Sequence, residues 1–227
     1  EAEICDGIDN NCNLGADEGL TFVTYYLDND GDGYGVEPGV SLCANPGPGF
    51  VTQGDDCDDS DPNTYAGYTL VTSGSYAPIS GTGTLLSLPD DGVSGALPIG
   101  FTFEFFEQNY TSFIISSNGF ITFESVSSSG CCSGQSIPNP TAPNNLIAAA
   151  WDDLYPAGNG SISYFTTGTA PNRILAVNFT NIPLCCGTNP AVTSQILLYE
   201  GSNRIEIHTA FANGITPGTM GIENASG

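Results

Sequence analysis

The chain contains no lysine, two arginines (Arg173 and Arg204) and one histidine (His208). Against them stand 25 acidic residues, for a formal net charge of −23. Such a chain cannot replace the counterions around a phosphate backbone, so a nucleic-acid partner is excluded. An anionic membrane surface is disfavoured for the same reason. No apolar run approaches bilayer-spanning length, and no membrane insertion is expected. No CxxC spacing occurs, and a single histidine argues against a zinc site. Without lysine, and with His208 on a polar stretch, the usual nucleophile–base pairs are missing. No carboxylate pair after residue 66 stands out as a glycosidase would require. We therefore expect no catalytic residues and no enzyme.

What the chain does have is Gly (29), Pro (15), Phe (12) and Tyr (10). Short β-branched and aromatic runs, broken by turn residues, favour an all-β protein. Composition changes sharply near Gly67, since residues 1–66 hold 15 of the 25 acids and neither arginine. The expected organisation is a small, loop-rich module stapled by disulfides and calcium over residues 1–66, then a jelly-roll-like β-sandwich over residues 67–227. Sandwich strands are predicted at 68–72, 84–88, 97–106, 112–116, 119–124, 146–150, 161–165, 173–180, 193–200, 203–211 and 220–223. Phe101, Phe103 and Phe105 alternate onto one face, as do Leu175, Val177 and Phe179.

Eight cysteines in a glycine-rich β protein suggest disulfides and an oxidising compartment. The chain is expected to be secreted, extracellular or at a cell surface, and Glu1 reads as a processed start. Four cysteines allow three pairings, and local bridges Cys5–Cys12 and Cys43–Cys57 are favoured. Cys131–Cys132 and Cys185–Cys186 are adjacent pairs in Gly/Ser-rich loops. A double bridge between the two loops is expected, with bridges to a neighbouring subunit as the alternative. Asn109, Asn159, Asn178 and Asn224 begin N-x-S/T sequons.

The sharpest local motif is Leu27–Gly35, LDNDGDGYG. Asp28, Asp30 and Asp32 recur at alternate positions, so their carboxylates can converge on one cation while Gly33 lets the chain turn. Tyr34 would add a backbone carbonyl. Gly39 stands where an EF-hand has its bidentate glutamate, so further ligands must come from elsewhere. Donors are available in GDDCDDSDP (Asp55, Asp56, Asp58, Asp59 and Asp61) and in CDGIDNNCNLGADEG (Asp9, Asn11, Asn13, Asp17 and Glu18). Two carboxylates in contact repel by about 4 kcal/mol at an effective dielectric of about 20, so such clusters oppose a compact fold until a cation joins them. Oxygen-only, flexible ligand sets favour calcium.

Residues 3–66, with EICDGIDNNCN, ADEG, YYLDNDGDGYG and GDDCDDSDPNTY, resemble the metal-binding repeat of secreted bacterial proteins (MopE-like). Their aspartate rhythm is similar to thrombospondin type 3 calcium repeats. Residues 67–227, with LPIGFTFEFF, YTSFIISSNGFITF, IAAAWDDL and QILLYEGSNRIEIH, resemble a β-sandwich domain of bacterial adhesin-like proteins and, more loosely, the nidogen extracellular domain. The expected function is a calcium-binding structural or adhesive module, with the paired loop cysteines and edge strands as means of self-association into a surface fibre or appendage. A carbohydrate-binding module, stacking glycan on aromatics near Tyr155 or Tyr164, is the alternative. Asp152 and Asp153 after Trp151 read as a strand end, or as a second cation site; Asp90 and Asp91 read as a turn.

Overall fold

A computed structural model describes residues 3–12, 15–54, 56, 59–60, 64–65, 68–69, 71, 76–124, 128–215 and 218–226. Two compact units divide at Gly74/Ser75.

The first unit is built on an antiparallel sheet that composition had concealed. Strand β1 (Val23–Leu27) lies between β2 (Val36–Leu42) and β3 (Phe50–Val51). A two-strand ribbon, β4 (Thr64–Tyr65) and β5 (Tyr68–Thr69), follows. The sheet is centred on one side chain, Tyr26. A Cβ added at Gly39 or Gly54 would come within 2.5 or 2.7 Å of the Tyr26 ring, so only glycine allows that approach. Ile4, Ile8, Phe22, Val23, Leu27 and Val40 remain exposed. A unit with so little burial depends on cross-links.

One cross-link is Cys5–Cys43, with Cα atoms 5.7 Å apart. The expected Cys5–Cys12 bridge is therefore wrong, and so is its companion Cys43–Cys57. Cys12 is exposed, with a left-handed backbone (φ 62°) and a free thiol. Cys5 instead meets the cysteine that follows β2. Cys57 lies outside the described residues.

The second unit is a sandwich of two five-stranded antiparallel sheets. Its strands are β6 (Thr84–Leu86), β7 (Leu97–Phe105), β8 (Gln108–Ile115), β9 (Phe120–Thr122), β10 (Leu146–Trp151), β11 (Ser161–Thr167), β12 (Ile174–Pro183), β13 (Pro190–Tyr199), β14 (Ile205–Ala212) and β15 (Thr219–Glu223). One sheet runs β15-β10-β9-β8-β7 and the other β14-β13-β12-β11-β6. Each is a four-strand meander completed by a strand from the other end of the chain. This agrees with the all-β expectation; among the described residues the only helical element is a 3-10 turn at Pro156–Gly158.

The alternation on β7 works as read: Ile99, Phe101, Phe103 and Phe105 are buried and the residues between them exposed. Phe103, Phe105, Phe113, Phe120, Trp151 and Phe179 are fully buried. Strand β10 is buried throughout. Phe120, Leu146, Ala148 and Trp151 form a cluster that Ile137, from an irregular segment, packs against. Ile79, from the segment before β6, likewise packs on Phe165, Ala176 and Leu197. Gln195 fastens that segment by accepting from the Ile79 N–H and donating to its carbonyl (2.8 and 2.9 Å).

Candidate metal centre

The Asp28–Gly35 loop joins β1 to β2. Its ends are held by backbone bonds, Asp28 N–H to Gly49 O (3.0 Å) and Gly35 N–H to Gln53 O (3.0 Å). Within it the carboxylates shape the backbone: Asp28 Oδ1 accepts from Gly31 N (2.7 Å), Asp30 Oδ1 from Asp32 N (3.1 Å) and Asp32 Oδ1 from Tyr34 N (2.8 Å). One oxygen from each of Asp28, Asp30 and Asp32 lies within 4.8 Å of the other two. The second oxygens of Asp30 and Asp32 are buried and accept no hydrogen bond. Gly33, with φ of 97°, makes the turn.

The second acidic segment reaches this loop. Asp56 donates its N–H to Gly35 O (3.3 Å) and is only 6% exposed. Asp59 accepts from the N–H and side-chain amide of Asn29 (2.6 and 2.5 Å). Burial raises the pKa of Asp30, and the charges of Asp56, Asp28 and Asp59 add to it. Burial also raises that of Asp32, with Asp30, Asp56 and Asp28 contributing. Both groups resist ionising where they stand, which a divalent cation would reverse. Asp55, Asp58 and Asp61 lie outside the described residues.

A second group forms from Glu3, Asp9 and Glu18, again with oxygens within 4.8 Å. Asn11 donates to Glu18 Oε1 (2.7 Å), leaving Asn11 Oδ1 and Glu18 Oε2 buried without hydrogen bonds. Asp17 has another task, accepting from the Asp6 and Gly7 N–H groups (3.0 and 3.1 Å). Sequence reasoning missed Glu3, which accepts from Asn11 N and Asp17 N (2.8 and 3.0 Å). Its position at the edge of the motif gave no alternation to read. Asn13 lies outside the described residues.

In the sandwich, Asp90, Asp91 and Asp153 come together, also within 4.8 Å. The adjacent cysteines flank them. Both pairs close on themselves, as Cys131–Cys132 and Cys185–Cys186. The expected double bridge between the loops is not formed. Each loop is tied separately to the Asp152–Leu154 segment, through the bridges Ser133↔Asp152 and Leu154↔Leu184.

Residues 67–227 match the family model described as NIDO related. The chain belongs to the NIDO-related family. That membership points to an extracellular module, in keeping with its disulfides. No curated protein and no solved structure matches the chain. Among the described residues, no helix is long and apolar enough to cross a membrane.

The NIDO-related domain places its cations and its histidine in polar contacts. Arg173 pairs with Glu200 through Nε (2.8 Å) and Nη2 (2.5 Å). These bonds hold Glu200 well below the usual carboxylate range, at about 2. Arg204 reaches Glu206 at 3.0 Å, and His208 Nε2 is 2.8 Å from the same carboxylate. Tyr155 and Tyr164 are half-buried, and Tyr164 stands edge-on to Phe113 at 5.9 Å. Glu223 is 2% exposed and accepts from Asn139 N (3.0 Å), while its other oxygen has no partner. Burial, with the nearby Glu124 charge, pushes its carboxyl up to about 7.

Proposed function

We propose that this chain is a calcium-binding extracellular structural or adhesive module, working as a subunit of a surface fibre or appendage. The observation that carries the reading is the Asp28–Asp32 loop, with its three convergent carboxylates and the buried, unbonded oxygens of Asp30 and Asp32. Asp56 would join them on one ion. Glu3, Asp9, Asn11 and Glu18 would take a second. Calcium suits both sets because the donors are all oxygen and sit on irregular backbone. The MopE-like rhythm of residues 3–66 supports the same assignment. In this reading the ion substitutes for the core the first unit lacks, and the chain performs no catalysis.

Self-association has support at the sheet edges. Leu85 on edge strand β6 is 73% exposed and Met220 on edge strand β15 is 53% exposed. Exposed edge strands with apolar side chains are templates for pairing with another chain.

The test is calorimetric calcium titration of the chelator-stripped chain, with electron microscopy of the same samples. Saturable binding that Asp30→Asn/Asp32→Asn abolishes, with calcium-dependent filaments, is expected. No heat at millimolar calcium would remove the metal assignment. Binding with dispersed monomers at every concentration would remove the fibre.

A further inference from the structure

The end of the sandwich carrying both cysteine pairs has a chemistry of its own. The turn Pro89–Gly92 is closed by Gly92 N–H to Pro89 O (3.2 Å) and to Ser117 Oγ (3.0 Å). Asn118, fully buried, donates to Asp91 Oδ1 (2.9 Å) and accepts from Leu154 N (3.0 Å). Asp91 is thereby aimed with its second oxygen at Cys132 Sγ, 3.9 Å away. Asp90 Oδ2 lies 3.8 Å from Cys185 Sγ and 3.9 Å from Cys186 Sγ. The Cys185 N–H bonds to Asp153 O (2.8 Å), which fixes that loop beside the turn. Two groups result, Cys131, Cys132 and Asp91, and Cys185, Cys186 and Asp90, each with ligand atoms within 4.8 Å of one another. Asp153 faces both aspartates.

We propose that reduction of the two vicinal disulfides converts this end of the sandwich into a pair of thiolate–carboxylate sites for a thiophilic divalent cation of the zinc or cadmium class. Metal–sulfur bonds of about 2.3 Å and metal–oxygen bonds of about 2.1 Å set the ligand atoms of a tetrahedral site roughly 3.6 Å apart. In the disulfide form the sulfur–oxygen separations of 3.8–3.9 Å are already close to that edge, and reduction frees the two sulfurs of each pair to move apart onto the same ion. Each disulfide takes two electrons and two protons from an external dithiol, which closes to its own disulfide. A divalent ion then replaces the two thiol protons, which pass to solvent.

The cation bonds the reduced sulfurs and not the disulfide, and the flanking carboxylates add to its binding, so cation and reduction favour each other. All four cysteines, and both aspartates beside them, are exposed and open to both reagents. Neither the residues nor the ligand chemistry is shared with the calcium reading.

The full chain would be kept in millimolar calcium, reduced anaerobically with a phosphine, and titrated with cadmium while thiolate-to-cadmium charge-transfer absorbance is recorded. Cys5, Cys12, Cys43 and Cys57 contribute a background common to all variants. Wild type should take up two equivalents more than a variant with Cys131, Cys132, Cys185 and Cys186 all changed to Ser. Cys131→Ser/Cys132→Ser and Cys185→Ser/Cys186→Ser should each lose one. Asp90→Asn/Asp91→Asn, which keeps every cysteine, should weaken uptake at least about tenfold. Equal uptake by wild type and the four-serine variant, or unchanged affinity in the aspartate variant, would overturn the proposal.

Discussion

Tyr26 and Trp151 each sit at the centre of a unit, in opposite surroundings. Tyr26 leans on glycines at 39 and 54. Trp151 is 1% exposed, packs against Phe120 at a ring separation of 5.0 Å and donates its indole N–H to Gly130 O (2.8 Å). Among the described residues the first unit buries the carboxyl-bearing Asp56 and no large apolar side chain, whereas Trp151 clusters with Phe120, Leu146 and Ala148. The second unit has an extensive apolar core to fold on. The first has little, and its clustered carboxylates oppose compaction unless a counterion joins them. One chain thus carries a unit that water holds together and a unit that needs a bond or an ion.

The largest expected effect lies on the apolar side of this contrast. Trp151→Ala should cost the sandwich about 3–5 kcal/mol, read as a fall in the higher-temperature calorimetric transition with the first unit's transition unmoved. If both transitions fell together, the two units would not be energetically separate. Cys5→Ser/Cys43→Ser should act on the other side. A closed loop with a sequence separation of 38 contributes about 4 kcal/mol through chain entropy. Its loss should broaden or abolish the first transition alone, and an unchanged transition would show that the bridge staples nothing.

Glu223 sharpens the comparison, being a buried acid inside the apolar unit. Its folded pKa of about 7 exceeds the unfolded value of about 4.3, so the folded state holds the extra proton between them. Its contribution is therefore intact below about pH 4.3, is lost as pH rises to about 7, and is flat above that. Glu223→Gln keeps an acceptor for Asn139 N and removes the charge. It should stabilise the sandwich by up to about 3 kcal/mol at pH 8 and leave it unchanged at pH 4. Denaturant melts at the two pH values check this, and equal effects at both would refute the assignment.

The smallest effect is Thr122→Val, which deletes a hydroxyl donated to the carbonyls of Asn144 and Asn145 (2.9 and 3.1 Å). A loss of about 1–2 kcal/mol is expected, with no change in calcium affinity.

The sandwich was legible because alternation on β7 and β12 is a burial signal carried by the residues themselves. Where it was misjudged, the turn chemistry was unusual. Strand β8 begins at Gln108, four residues before the expected start, because Phe106 and Glu107 both adopt positive φ (45° and 63°) in a two-residue hairpin loop. Asn-Gly or Asp-Gly would have announced such a turn. The β1–β3 sheet was missed because its strands bury little, so VTYYL shows no apolar alternation. The Asp28–Asp32 group was readable from spacing alone. Glu3 was not, and the meeting of Asp90, Asp91, Asp153 and the two cysteine pairs depends on long-range register, which local patterns do not encode. Adjacent cysteines likewise suggested a double bridge between the loops, whereas each pair closes on itself.

The most direct test of the proposed calcium loop is amide hydrogen exchange on the chelator-stripped chain, with and without millimolar calcium. Calcium should add strong protection at Gly31, Asp32, Gly33 and Tyr34, whose N–H groups bond to the loop carboxylates, and none in strands β7 to β14. Equal exchange in the loop under both conditions would contradict it.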